Sequence, residues 1–181
     1  MRYLVLVAAA TLWVVFAVSA VSKLRGRAAY AAFVASTGRL LPPRFRAARP
    51  AALLVVVAEL VVVATLPVVP VAGLVLGAAL LGAFGVAILG AVRRGVTAPC
   101  RCFGASARPL GVAAAVRNGL LAVLATGGAA AAAAVPAPLD GAHPAGVAIA
   151  AFGALVLAVL TISFDDVADL LTPGSVAVDR T

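Results

Sequence analysis

The sequence predicts an all-α integral membrane protein, a bundle of spanning helices with no soluble domain of its own. Three observations carry this expectation. The 181 residues are 65% hydrophobic and only 11% charged, and mean hydropathy is +1.19. A water-soluble domain has no use for so much apolar surface, whereas a bundle in lipid needs apolar side chains outside as well as inside. The apolar residues fall in five runs of about 18 residues or more, the length at which a helix crosses the hydrocarbon and satisfies its own backbone. The residues outside the runs hold nearly all the charge and every proline except Pro67.

The first run, residues 4–21, follows a single basic residue, Arg2. It is longer than the apolar core of a signal peptide and lacks a clear small-x-small cleavage site before a soluble region, so it is expected to be a retained helix. Residues 23–50 form a long basic connection with room for a short interfacial helix around 28–36, ended by Gly38 and broken by Pro42-Pro43. The second and third runs, 51–69 and 71–92, are divided only by Pro67-Val68-Val69-Pro70. Proline removes a donor and disfavours helix in the residue before it, which predicts a tight helical hairpin. The fourth run covers 110–135, where the alanine stretch 129–134 reads as helix filler. The turn from Pro136 to Pro144 precedes the fifth run, 145–164. Residues 1–165 are thus expected to form one transmembrane domain, and 166–181 a short loosely ordered tail. Asp165, Asp166 and Asp169 read as a solvated end.

Net charge is +8, but no nucleic-acid partner is expected, because the basic residues lie in short loops without interleaved aromatics. The bilayer is the expected partner. Lys23, Arg25, Arg27, Arg39, Arg44, Arg46 and Arg49 fall in the first connection and Arg93, Arg94, Arg101 and Arg108 in the third, while the other two carry none. By the positive-inside rule this puts the N-terminus outside and both basic connections on the cytoplasmic side. The expected location is the plasma (inner) membrane of a bacterium, as a multi-pass protein.

Cys100 and Cys102 are the only cysteines, two positions apart in Ala98-Pro-Cys-Arg-Cys-Phe-Gly104 between the third and fourth runs. A thiolate is the reactive form of cysteine, and nearby positive charge or a helix N-terminus stabilises it. Arg101 lies between the thiols, and the fourth helix begins shortly after. A bridge across one intervening residue closes a small, strained ring, which suits an exchanging disulfide better than a structural one. A metal site is not expected. Two thiolates could hold Cu(I), but the only Met is the initiator and His143 falls on the opposite face. Two boundary residues without chemistry remain the bland alternative.

Four polar residues stand in or at the ends of apolar runs. Glu59 lies near the middle of the second, Arg117 and Asn118 about two turns into the fourth, and Lys23 at the end of the first. Ionisable groups there are costly and face the bundle interior. A Glu59–Arg117 pair, with Asn118 donating hydrogen bonds, is the expected compensation. It would serve either as a proton relay or quinone-contacting cluster, or as a clamp that fixes helix register. Ser19 and Ser22 are expected to allow close helix approach.

Taken in order, Phe16-x-x-Ser19-Ala-x-Ser22-Lys23-Leu24, Glu59, Cys100-x-Cys102-Phe-Gly104 and Arg117-Asn118 resemble the MauE family of methylamine utilisation proteins, within the broader DoxX-like group, over about residues 3–135. The resemblance implies a DoxX-like four-helix core, to which the fifth run adds a C-terminal transmembrane helix. It also implies a link to thiol–disulfide chemistry, since founding members help mature the disulfide-rich small subunit of a periplasmic methylamine dehydrogenase. Cys100 and Cys102 would then be the redox pair, and Arg101, Glu59, Arg117, Asn118 and Lys23 the supporting set. A thioredoxin-like protein is the implied partner. A quinone enters as cofactor only through fold-level analogy with vitamin K epoxide reductase-type bundles. The resulting expectation is thiol–disulfide exchange for maturation or redox balance of exported proteins, an oxidoreductase if the protein is an enzyme. The alternatives are a non-enzymatic assembly or scaffold subunit with structural or metal-binding cysteines, and a small DoxX-like transporter. One tension stands: oxidative folding takes place outside the cytoplasm, whereas the charge rule puts the cysteines inside.

Overall fold

The computed structural model describes residues 1–41, 47–96, 112–135 and 142–163. These form six helices and, among the described residues, no strand: α1 (Arg2–Leu24), α2 (Arg27–Leu40), α3 (Ala48–Thr65), α4 (Pro70–Arg93), α5 (Val112–Ala134) and α6 (Pro144–Ile162). All except α2 are long and apolar enough to cross a membrane, five candidate spans in all. The expected spans are all present, with ends shifted by one to four residues. The interfacial helix is also present, longer than expected. Gly38 does not end it, and α2 continues to Leu40.

α1 is the centre. Its buried positions Val5, Ala8, Leu12, Val15, Phe16, Ser19, Ala20 and Lys23 repeat at helical spacing along the chain. It packs on each of the other five helices. α4 adds Leu74 and Leu81, and α5 adds Leu121 and Ala125, to the core built around Leu12 and Phe16. α3 and α5 each pack on both α1 and α4, which places them across the bundle from each other. α6 lies outside this four-helix core, against α1, with an inward stripe of Ala150, Ala154 and Ala158. Outward-facing Leu54, Val86, Val123, Ile149 and Phe152 are strongly exposed. In water that would be a liability; in a bilayer it is the lipid contact surface.

Helices in lipid gain nothing by hiding apolar groups from one another, so close packing at small residues holds them together. At Gly128 a Cβ would stand 2.6 Å from Ala8 Cβ, so α5 and α1 touch nearly backbone to backbone. At Gly73 a Cβ would lie 2.7 Å from the Leu66 backbone. The glycine thus lets α4 fold back on the end of α3, where the Val69 amide donates to the Thr65 carbonyl at 2.8 Å and Pro70 opens α4. The proline hairpin read from the sequence is therefore closed by a glycine three residues further on.

With five candidate spans, the start of α1 and the end of α6 fall on opposite faces. α1 and α6 run parallel: Tyr3 meets Gly146, and the Thr11 hydroxyl donates to the Ala154 carbonyl at 3.4 Å. The opposite face gathers the end of α1, α2, the start of α3, the end of α4 and the start of α5. There Ile88, Ala115, Leu40 and Val96 pack as one small cluster. α4 stops on that face with Gly95 at φ +72°. The Gly95 amide donates to the Val92 carbonyl at 2.9 Å and the Val96 amide to Ala91 at 3.1 Å. This double closure caps orphan carbonyls at a left-handed glycine. Arg94 Nη2 donates to the Leu40 carbonyl at 2.7 Å and ties α2 to α4.

Candidate functional site: a buried polar layer toward the basic face

Glu59 belongs to the inward stripe of α3, with Ala52, Val56 and Val62 at spacings of four and three. An acid on that stripe has no route to water, and Glu59 is fully buried. Its compensation comes from α1. Lys23 Nζ donates to Glu59 Oε1 at 2.5 Å and to Ser19 Oγ at 2.6 Å, and the Ser19 hydroxyl donates to the same Oε1 at 3.0 Å. Ser19 and Lys23 are four residues apart, so they share one face of α1. The ammonium also stands 4.8 Å from the centre of the Phe33 ring, a cation–π contact supplied by α2.

This corrects the pairing expected from sequence. Glu59 takes Lys23 rather than Arg117 as its cation, because α1 lies between α3 and α5 in the bundle. Ser19, expected only as a small packing residue, is a hydrogen-bonding member of the cluster. Its signal was available: a hydroxyl four residues before the lone lysine, on an otherwise apolar face. Phe33 was also missed, because the interfacial helix carries no polar motif that marks its inner face.

Arg117 and Asn118 are buried on α5, 4% and 0% exposed. From the contact of Gly128 with Ala8, a further ten residues of antiparallel helix, about 15 Å, bring Asn118 to the level of Ser19. All the buried polar residues named in the sequence reading therefore lie in one layer, toward the basic face. Two positions in it keep unused capacity. Glu59 Oε2, and both amide atoms of Asn118, have no hydrogen-bond partner among the described residues. Buried groups left this way cost stability and mark places where function competes with packing.

Cys100, Arg101 and Cys102 lie outside the described residues, as do Arg44, Arg46, Arg108, Asp165, Asp166, Asp169 and the tail. The chain on either side of the cysteine segment is described. Val96 and the start of α5 both stand on the basic face, in the cluster around Ile88. Among the described residues no group of three His, Cys, Asp or Glu side chains is placed to hold a metal ion. His143, on the opposite face, accepts from the Ala145 amide at 3.3 Å and caps α6.

Five apolar spans around a buried Lys–Glu–Ser layer define a multi-pass helical membrane protein with a polar interior. The family model for the methylamine utilisation protein MauE matches residues 1–134, which covers α1 to α5. The chain belongs to the MauE family. α6 follows the matched region. No curated protein matches the chain, and no solved structure does.

Proposed function

We propose that this MauE-family membrane protein takes part in thiol–disulfide exchange through Cys100 and Cys102, supporting maturation or redox balance of exported proteins from the plasma (inner) membrane. The observation that carries the proposal is one of position. The chain's only two cysteines fall between α4 and α5, two helices whose adjoining ends share the face above the buried polar layer.

In the exchange, one thiolate attacks a sulfur of the partner's disulfide, forming a mixed disulfide and releasing a partner thiolate. The second thiol, once deprotonated, attacks the mixed disulfide. It closes the Cys100–Cys102 bond and leaves the partner as a dithiol. Two electrons pass to the partner and the proton count balances across the two half-steps. The reverse direction uses the same bonds. Arg101 favours the thiolate by its charge. The partner class is a thioredoxin-like protein, whose own paired thiols match this stoichiometry. Lys23, Glu59, Ser19, Arg117 and Asn118 form the supporting polar set.

Trapping tests this. With Cys100→Ser or Cys102→Ser, one of the two variants should accumulate a covalent, reductant-sensitive adduct with the partner, because the resolving thiol is gone. If neither variant forms an adduct in cells in which the protein is normally inserted, thiol exchange is excluded.

The second reading is an assembly or scaffold subunit. The Lys23–Glu59–Ser19 clamp favours it, since a buried ion pair can serve helix register alone.

A further inference from the structure

Between α2, α3 and α4 lies a cavity of about 470 Å³, within the range of small-molecule sites. Its inner wall holds Lys23, Phe33, Thr37 and Ile88, each less than a tenth exposed. Its outer wall includes Leu54 and Val86, which are 72% and 73% exposed, so it opens on the apolar flank of the bundle, with Arg94 at its rim. A second cleft, of about 400 Å³ against Trp13, Leu66, Pro67 and Pro70, has no charged residue in its wall. An acyl chain is all that such a surface asks for.

The larger cavity asks for more, because Lys23 lines it. Two of the ammonium's N–H groups are used by Glu59 Oε1 and Ser19 Oγ. Beyond these the ammonium has the Phe33 ring face at 4.8 Å and no third oxygen or nitrogen acceptor among the described residues, although the side chain is only 3% exposed. A buried donor that faces an apolar cavity selects a ligand with an acceptor oxygen at its tip. Charge narrows the class further. The Lys23 charge is balanced by Glu59, and the rim cation Arg94 is engaged by the Leu40 carbonyl. At the buried end of the cavity the paired Lys23 therefore favours a neutral carbonyl over a phosphate or carboxylate head, while Arg94 at the rim keeps its charge and its remaining N–H groups. The rings of Phe33 and Phe84 in the wall suit a flat body.

We propose that this cavity binds a membrane quinone, with one ring carbonyl accepting from Lys23 Nζ and the isoprenoid tail leaving past Leu54 and Val86. A bound quinone supplies a two-electron, two-proton acceptor, the counterpart of two thiols that lose two electrons and two protons as they form a disulfide. That use rests on the thiol–disulfide reading; binding itself does not.

The test therefore uses the full chain with Cys100→Ser and Cys102→Ser, purified in detergent, and measures equilibrium binding of a short-tailed ubiquinone. Saturable binding near one per chain is expected. Ala87→Trp, which puts a large side chain into the cavity and leaves both charged residues in the sequence, should weaken it at least tenfold. So should Lys23→Met combined with Glu59→Leu, which removes the donor and its counter-charge together. Circular dichroism and gel filtration check that each variant is folded. No saturable binding by the folded cysteine-free chain overturns the proposal, as does binding that neither change weakens. Equal displacement by diacylglycerol, a carbonyl-bearing lipid without a quinone ring, overturns the ligand class. Loss of adduct trapping with quinone binding retained would remove the redox use and leave the site.

Discussion

Lys23→Met alone should destabilise the folded protein by about 3–5 kcal/mol, because it strands the Glu59 carboxylate inside the bundle. Glu59→Leu alone should cost a similar amount by stranding the ammonium. The double variant Lys23→Met/Glu59→Leu should recover most of that loss. Two apolar side chains of similar volume can replace a buried pair at little net cost, so the two single effects will not add. The prediction follows from the geometry at Glu59: Lys23 and Ser19 converge on one carboxylate oxygen, and once Lys23 is removed the Ser19 hydroxyl remains but no second cation pairs with Glu59 among the described residues. Reversible unfolding in mixed micelles measures it. A loss in the double variant equal to the sum of the two single losses would mean that the pair is not energetically coupled. Arg117→Leu separates this account from the pairing expected by sequence: it should leave the Glu59→Leu penalty unchanged.

The second large effect concerns the thiols. Replacing both Cys100 and Cys102 by Ser should abolish client maturation, to a hundredth of normal or less, while membrane insertion and the unfolding midpoint stay as in the unaltered protein. Neither serine can form the S–S bond on which exchange depends. The double variant also divides the alternatives. A scaffold would retain activity without thiols, whereas Glu59→Leu would impair it through folding. A transporter would likewise tolerate serine. The readout is the disulfide state of an exported client, scored beside the amount of inserted protein.

Much of the architecture was legible because membranes simplify the code. Residues 51–69 and 71–92 had to be two helices and not one, since Pro67 and Pro70 interrupt them and lipid admits no unpaired backbone. The close approach that makes their hairpin tight lies at Gly73. Nothing in its local sequence distinguishes it from Gly82, whose added Cβ would meet open space. Lys23, Glu59, Arg117 and Asn118 could be singled out because each breaks an apolar stretch. Who pairs with whom could not be read. Hydropathy fixes depth, and depth alone is satisfied equally by Arg117 and Lys23. The choice depends on which helices are neighbours, and α1 lies between α3 and α5. The cavity was invisible for the same reason, since Lys23, Phe33 and Phe84 come from three helices.

The basic face gathers Lys23, Arg25, Arg27, Arg39, Arg93 and Arg94, and the charge rule puts such a face in the cytoplasm. A thiol pair there would meet reductants before it met exported clients. The most direct test is therefore labelling of Cys100 and Cys102 with a membrane-impermeant maleimide, in intact cells and in inverted vesicles, before and after reduction. An oxidised fraction is expected in native membranes, so that labelling rises on reduction, and only inverted vesicles should label. Labelling only from outside would keep the redox pair and reverse the orientation. Full labelling without reduction, or none under any condition, would contradict the claim that these two cysteines cycle through a disulfide.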